Sequence, residues 1–194
     1  MYFVEVERIA NAWEKTKDLV LKKGKKIIDG DNVLIEVLDV FIVINNPERS
    51  DDENPVINPA MKQWMLSNFT DIKTVPELKN AKSYGWRLYS SNGNKIDWVI
   101  NKLKNNPWSK SATVALILPE DEDYIPCVSL LDFKVREGVL LLSATCRSLD
   151  VGKKALYNFY ALADIVHGVS EALKILDVKL KILIHSAHVY QKDL

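Results

Sequence analysis

The chain has 194 residues, 47% of them hydrophobic, enough for one core or at most two fused lobes, so a single globular domain over residues 1–194 is expected. Its 26 basic and 26 acidic residues balance to a formal net charge of zero, which leaves no excess positive field for a nucleic-acid polymer or an anionic membrane. Glu5, Glu7 and Arg8 fall where a signal core would be apolar, and no apolar run approaches a membrane span, so a cytoplasmic protein with Cys127 and Cys146 as free thiols is expected.

In chain order, Val33–Ile44 is rich in Val, Ile and Leu and follows the turn-like Asp29-Gly30-Asp31, which predicts a strand pair or one long strand. Asn45–Pro59 holds three prolines among Asn, Asp and Glu and predicts a surface loop between an N-terminal lobe and the main body. A short helix is expected over Asp97–Lys104, because Ile96, Val99, Ile100 and Leu103 share one face ahead of the stop signal Asn105-Asn106-Pro107. Val114–Leu118, Ser129–Arg136 and Val139–Ala144 read as strands, the last two joined as a hairpin at Glu137-Gly138. Between Leu156 and Leu176, Phe159, Leu162, Ala163, Val166, Val169, Leu173 and Leu176 recur every three or four positions and predict one long buried helix. Lys179–Ile184 returns as a strand, and no internal repeat or low-complexity tract is present. The expected fold class is α+β, with helices packed on a mixed sheet.

Several polar residues are not explained by that architecture. The stretch CRSLDVGKKALYN, from Cys146 to Asn158, leaves a strand with Arg147, Ser148 and Asp150 and enters the long helix with Asn158 near its start. Strand-end loops are where ligands are met, and Arg147 offers a planar fork of donors suited to phosphate, with the Ser148 hydroxyl beside it. Taken singly, these residues also read as a surface arginine, a helix cap and a helix-facing amide. His188 and Tyr190 lie two apart in an extended segment and therefore on one side, where they could bond a sugar hydroxyl or simply end a half-buried strand.

As an ordered set these residues resemble the thymidylate synthase family. The stretch DWVINKLKNNPWSK, Asp97–Lys110, is similar to the family's helix followed by Asn-Asp/Asn-Pro-x-Ser-Arg-Arg, Pro126-Cys127 matches its nucleophile dipeptide, and Arg147–Asp150 its Arg-Ser-x-Asp signature. Asn158 follows Arg147 by eleven positions, as in the family, and His188-x-Tyr190 matches its His-x-Tyr, all without a gap from Cys127 onward. Tyr84–Arg87, YGWR, resembles a further stretch, whereas the N-terminal part, about residues 1–60, is divergent. The short archaeal-type members look like this chain.

The resemblance implies a thymidylate synthase-like sheet with helices packed against it, and a methyltransferase that makes dTMP from dUMP with a methylene-carrying reduced pterin, of folate or methanopterin type, and no metal. A thiolate added to carbon 6 of uracil turns carbon 5 into a nucleophile, which is the part implied for Cys127. Arg147 would meet both phosphate and cysteine, Ser148 the phosphate, Asp150 would orient the ring, and Asn158 would pair with N3–H and O4 of uracil. His188 and Tyr190 would bind the 3′-hydroxyl, and Tyr84 would help remove the carbon 5 proton. A homodimer is implied, with a monomer possible.

Departures from the pattern accompany the matches. Val128 replaces a histidine after the cysteine, Lys110 and Ser111 replace the paired arginines that reach a partner's phosphate, and Met61 stands where a glutamate precedes Trp64. A loop arginine near the N-terminus has no counterpart, with Lys25 or Lys26 as substitute point charges, and the chain ends soon after His-x-Tyr. These differences leave two alternatives open, a nucleotide hydroxymethylase of the same fold and a non-catalytic pyrimidine nucleotide-binding protein.

Overall fold

A computed structural model describes residues 1–48, 57–91 and 93–194. Its elements are β1 (Tyr2–Val6), α1 (Ile9–Lys23), β2 (Lys25–Asp29), β3 (Asn32–Ile44), α2 (Pro59–Thr70), β4 (Thr74–Val75), β5 (Ala81–Lys82), α3 (Tyr84–Tyr89) and α4 (Lys95–Asn105). They continue with β6 (Ala112–Ala115), β7 (Val128–Arg136), β8 (Val139–Cys146), β9 (Leu149–Asp150), α5 (Ala155–Leu173) and β10 (Asp177–Tyr190). The principal sheet runs β1-β3-β10-β8-β7-β6, with β2 paired to β3 and β9 to β10. Pairing is parallel for β1/β3, β10/β8 and β10/β9 and antiparallel elsewhere, so the sheet is mixed and the fold is α+β.

The helix read from the three-and-four repeat is α5, and thirteen of its nineteen residues are buried. It is apolar nearly all round because it packs on β8 and β10 and also on α1, α2 and α4. The β7–β8 hairpin turns at Glu137 and Gly138 with φ of 52° and 79°, the pair of positive values that suits the twist of a two-residue hairpin loop.

Of the two readings of Val33–Ile44, the single long strand is found, and β3 keeps one register with β10 from Ile44 to Leu34. Two other expectations change in extent. The strand expected over Lys179–Ile184 extends through His188 to Tyr190, because polar side chains on its pocket face replace apolar ones without interrupting the ladder. The run Val114–Leu118 pairs only as Ala112–Ala115. The N-terminal elements do not form a lobe of their own, since β3 lies inside the sheet between β1 and β10. Of the loop expected over Asn45–Pro59, residues 49–56 lie outside the described residues, and Pro59 already opens α2.

Arg87 is fully buried and ties together the segments that lead to the candidate nucleophile. Its guanidinium donates to the Asp121 carboxylate at 2.5 and 2.6 Å, to the Leu116 carbonyl at 2.8 Å and to the Lys82 carbonyl at 3.0 Å. Burial pushes the Asp121 carboxyl up, but hydrogen bonds from Arg87 and from the Leu118 N–H outweigh it and hold the group below its ordinary value. An aspartate held low stabilises the fold fully above about pH 4 and loses that contribution as the pH falls further. Replacing Arg87 with Met strands a buried carboxylate, and a loss of about 3–5 kcal/mol is expected in chemical denaturation at neutral pH. The mutant's deficit should shrink as the pH falls, starting above the ordinary carboxylate range, because burial without Arg87 raises the stranded Asp121 carboxyl and it takes up a proton there; a deficit constant down to pH 2 would mean that the ion pair is not its source.

Candidate active site

One cavity of about 660 Å³ opens beside the ends of β8 and β10. Its floor follows from register. His188 on β10 pairs with Asp150 on β9 and with Glu36 on β3, so Asp150, His188 and Glu36 form one row across three strands. Tyr190 pairs with Leu34, which pairs with Ile27 of β2, giving a second row two residues on. His188, Tyr190 and Ser186 share a face through the two-residue strand period, and all of these side chains line the cavity.

Cys127 sits at the mouth of β7, half-buried. The register slips between Val128 and Leu130, a bulge that bends the strand at its start. The Arg147 N–H donates to the Cys127 carbonyl at 2.9 Å, and the Ser148 hydroxyl lies 3.7 Å from the Cys127 Sγ. The Arg147 guanidinium caps this loop. Its Nε and Nη2 donate to the Ile125 carbonyl at 3.1 and 2.6 Å, and Nη1 donates to the Ser148 Oγ at 3.2 Å.

Two phenols flank the thiol. Tyr84 accepts from the Val128 N–H at 3.0 Å and stacks on Phe69 with centroids 4.2 Å apart. It reaches there because α3 lies against the end of α2 at Gly85, where a Cβ would sit 2.4 Å from the Asp71 carbonyl; only glycine permits that approach. Burial raises the Tyr84 hydroxyl well above its ordinary value, and Cys127 and Tyr124 add to the effect. Burial, with Cys127, also pushes Tyr124 up to about 12. Both are neutral donors at pH 7.

Asp150 accepts from the Gly152 and Lys153 N–H groups at 3.0 and 3.1 Å and so shapes the turn into α5. Asn158, buried one turn into that helix, donates from Nδ2 to the Lys154 carbonyl at 3.0 Å. Burial lowers His188, with Asp150 opposing, so its ring is neutral at pH 7, in edge contact with Tyr190 at 5.1 Å. Burial is likewise the main cause of the raised Tyr190 hydroxyl. Cys146 is fully buried in β8, where burial pushes its thiol far above the range in which it would ionise.

The structure thus gathers Cys127, Arg147, Ser148, Asp150, Asn158, His188, Tyr190 and Tyr84 at one cavity. Lys110 is exposed between α4 and β6 and does not line it. Lys25 and Lys26 do not line it either, although their neighbours Ile27 to Asp29 do; the cations on its wall besides Arg147 are Lys82 and Lys154. Met61 packs against the core outside the cavity. Sequence reasoning missed the wall made by α2, with Trp64, Met65 and Asn68, and it missed Tyr124 and Glu36. A signal for α2 was present: Asn58 accepts from the Met61 N–H at 3.1 Å as N-cap, with Pro59 at the first turn. Among the described residues, no group of three or more His, Cys, Asp or Glu side chains could hold a metal ion, and no helix is long and apolar enough to cross a membrane.

The structure overlays thermostable thymidylate synthase A from Bacillus subtilis with a TM-score of 0.70 at 17% identity, covering 94% of this chain and 80% of that one. The family model for thymidylate synthase matches residues 49–194, and the chain belongs to that family. Provisionally named thymidylate synthases of two archaea agree with this assignment. The protein of Methanosarcina mazei is 30% identical over 200 residues, covering 98% of this chain and 90% of its own. That of Methanothermobacter marburgensis is 30% identical over 208 residues, covering 98% and 93%.

Proposed function

We propose that the protein methylates dUMP to dTMP through a covalent adduct of the Cys127 thiolate at carbon 6 of uracil. The observation that carries this reading is the convergence of thiol, guanidinium, amide and His/Tyr pair on a single cavity. Forming the C6–S bond moves the ring's electron pair toward carbon 5 and O4, which makes carbon 5 nucleophilic. A methylene-carrying reduced pterin would supply the one-carbon unit to carbon 5 and the hydride that completes the methyl group. Loss of the carbon 5 proton would let the pterin nitrogen leave that carbon, and addition of the hydride to it, with cleavage of the C6–S bond, would restore the ring and free Cys127.

Arg147 and Ser148 hold the phosphate in this reading, with Lys82 or Lys154 as further cations in place of the missing arginines. Asp150 orients the ring from the turn it shapes, Asn158 reads its edge, and His188, neutral and hydrogen-bonding, binds the sugar with Tyr190. Tyr84, a neutral phenol bonded to the backbone beside Cys127, passes the carbon 5 proton to water. The wall of Trp64, Met65, Val75 and Leu78 is apolar enough for a flat heterocycle. Exposed Lys110 would serve only a neighbouring copy's site, as in the homodimer that the family resemblance implies.

Tritium release from dUMP labelled at carbon 5, measured with methylenetetrahydrofolate and methylenetetrahydromethanopterin separately, tests the reading. Release matched by dTMP is expected. Release with a hydroxymethyl product would assign the hydroxymethylase reaction instead, and tight dUMP binding without release would make the chain a binding protein. Arg147→Ala should weaken dUMP by tenfold or more, corresponding to about 1.5–3 kcal/mol for a charge-assisted bond, while deoxyuridine loses much less. Equal losses would leave Arg147 only the loop-capping role seen at Ile125.

A further inference from the structure

The reaction described above leaves Glu36 of the cavity floor without a part. It pairs with His188 across β3 and β10, in the row that continues to Asp150. Its register partner on β2, Lys25, is exposed and does not line the cavity. Residues paired across antiparallel strands project to one face with Cβ atoms about 4.5–5.5 Å apart, so the Glu36 carboxylate stands beside the His188 ring. Ser186, two residues before His188 and on the same face, donates from Oγ to Glu36 Oε1 at 2.5 Å. That bond fixes the carboxylate and commits one of its oxygens. The other, Oε2, has no hydrogen-bond partner among the described residues, yet it is not sealed in protein: the buried side-chain atoms left without a partner there are Asn45 Oδ1 and Asn68 Oδ1. The floor of the cavity therefore carries an accessible acceptor next to the His188 and Tyr190 pair.

An ionised carboxylate only accepts, and covering it with a ligand that brings no donor is unfavourable. A deoxyribose brings one, the 3′-hydroxyl. The Tyr190 O–H and the N–H of a neutral His188 can donate to the oxygen of that hydroxyl, whose own hydrogen then needs an acceptor. Asp150, on the other side of His188, spends Oδ1 on the turn into α5, whereas Glu36 faces the row with Oε2 open, and a charged acceptor bonds a hydroxyl more strongly than a neutral ring or phenol does. We propose that Glu36 is a specificity-determining residue for the sugar, its Oε2 accepting the 3′-hydroxyl hydrogen while His188 and Tyr190 donate to the oxygen. This inference rests on the dUMP reading above. One open oxygen suits the single sugar hydroxyl of a deoxynucleotide, since a two-oxygen grip on the 2′,3′-diol of a ribonucleotide would require Oε1 to leave Ser186.

The test compares the full chain as wild type, Glu36→Gln and Glu36→Ala, with Kd measured by calorimetry for dUMP and for 2′,3′-dideoxyuridine 5′-monophosphate. Glutamine keeps the size of the side chain and an oxygen for Ser186, so it isolates the charge; alanine removes the acceptor. Both variants should bind dUMP about tenfold more weakly and the dideoxy nucleotide within about twofold of wild type, so the preference for a 3′-hydroxyl shrinks by about fivefold or more. A carboxylate that merely fastens β3 to β10 through Ser186 would weaken both nucleotides alike. Equal weakening of the two in Glu36→Gln overturns the proposal even should the Ala variant fail to fold, and so does unchanged dUMP affinity in that variant. A wild type that neither binds dUMP nor releases tritium from it removes the functional reading, and this inference with it. Normal wild-type turnover, with variants that keep the full preference for the 3′-hydroxyl, removes only the role of Glu36.

Discussion

Cys127→Ser should lower tritium release from labelled dUMP by on the order of 10⁴-fold or more while the protein still folds and binds dUMP. A hydroxyl fits where the thiol sits, half-buried at the start of β7 with the Ser148 hydroxyl 3.7 Å away. The Arg147 N–H bond to the backbone carbonyl of residue 127 does not depend on the side chain at all. What is lost is nucleophilicity, because an alcohol ionises far less readily than a thiol. Cys146 supplies the control. It is buried between Val128 and Ile184 in the sheet, and burial keeps its thiol neutral. Cys146→Ser should therefore keep turnover and cost about 1–3 kcal/mol of stability for a buried hydroxyl lacking a partner. Mass spectrometry of the 5-fluoro-dUMP adduct decides between the two thiols: modification of Cys146, or of neither, would end the assignment.

Local pattern carried much of the fold in sequence. The repeat that predicts α5 is visible because that helix buries most of its surface, and the β7–β8 hairpin is visible because Glu137-Gly138 demands a positive-φ turn. The site was legible where chemistry and spacing coincide, as in Arg147 to Asp150, Asn158 and His188-x-Tyr190, because each set lies on one rigid element or on the turn that leads into it. Non-local pairing was not legible. β1 joins β3 in parallel across 38 residues, with Tyr2 opposite Val40, and no local signal reports such a partner. Helix α1 begins after Arg8 with no side-chain cap, so its start carries no mark in the sequence. Arg87 and Asp121 are 34 positions apart and meet only once β5, β6 and the following loop are folded. Glu36 reads as an ordinary charge on a strand until the cavity beside it is known.

Asn158→Asp should lower dUMP turnover by about 10² or more and shift the ratio of carbon 5 exchange toward dCMP. The orientation of Asn158 gives the reason. Its Nδ2 donates to the Lys154 carbonyl, which fixes the nitrogen on that side and leaves the second N–H and Oδ1 for a ligand. Uracil presents a donor at N3 and an acceptor at O4, so the amide oxygen meets N3–H and the remaining N–H meets O4. Cytosine presents an acceptor at N3 and a donor at N4, the inverse pattern. An aspartate in this position faces the Lys154 carbonyl and uracil O4 with acceptors only, and the unpaired polar groups that result disfavour dUMP. Once protonated, the same carboxyl offers one donor and one acceptor, which suits cytosine. The start of α5 tolerates an acidic side chain, since the helix dipole favours negative charge near its N-terminus, so the mutant should fold. Tritium release from labelled dUMP and dCMP, compared in wild type and mutant, gives the ratio. A ratio unchanged by the substitution would reduce Asn158 to a residue that fastens its own helix turn through Lys154, and the base would have to be read by some other group on the cavity wall.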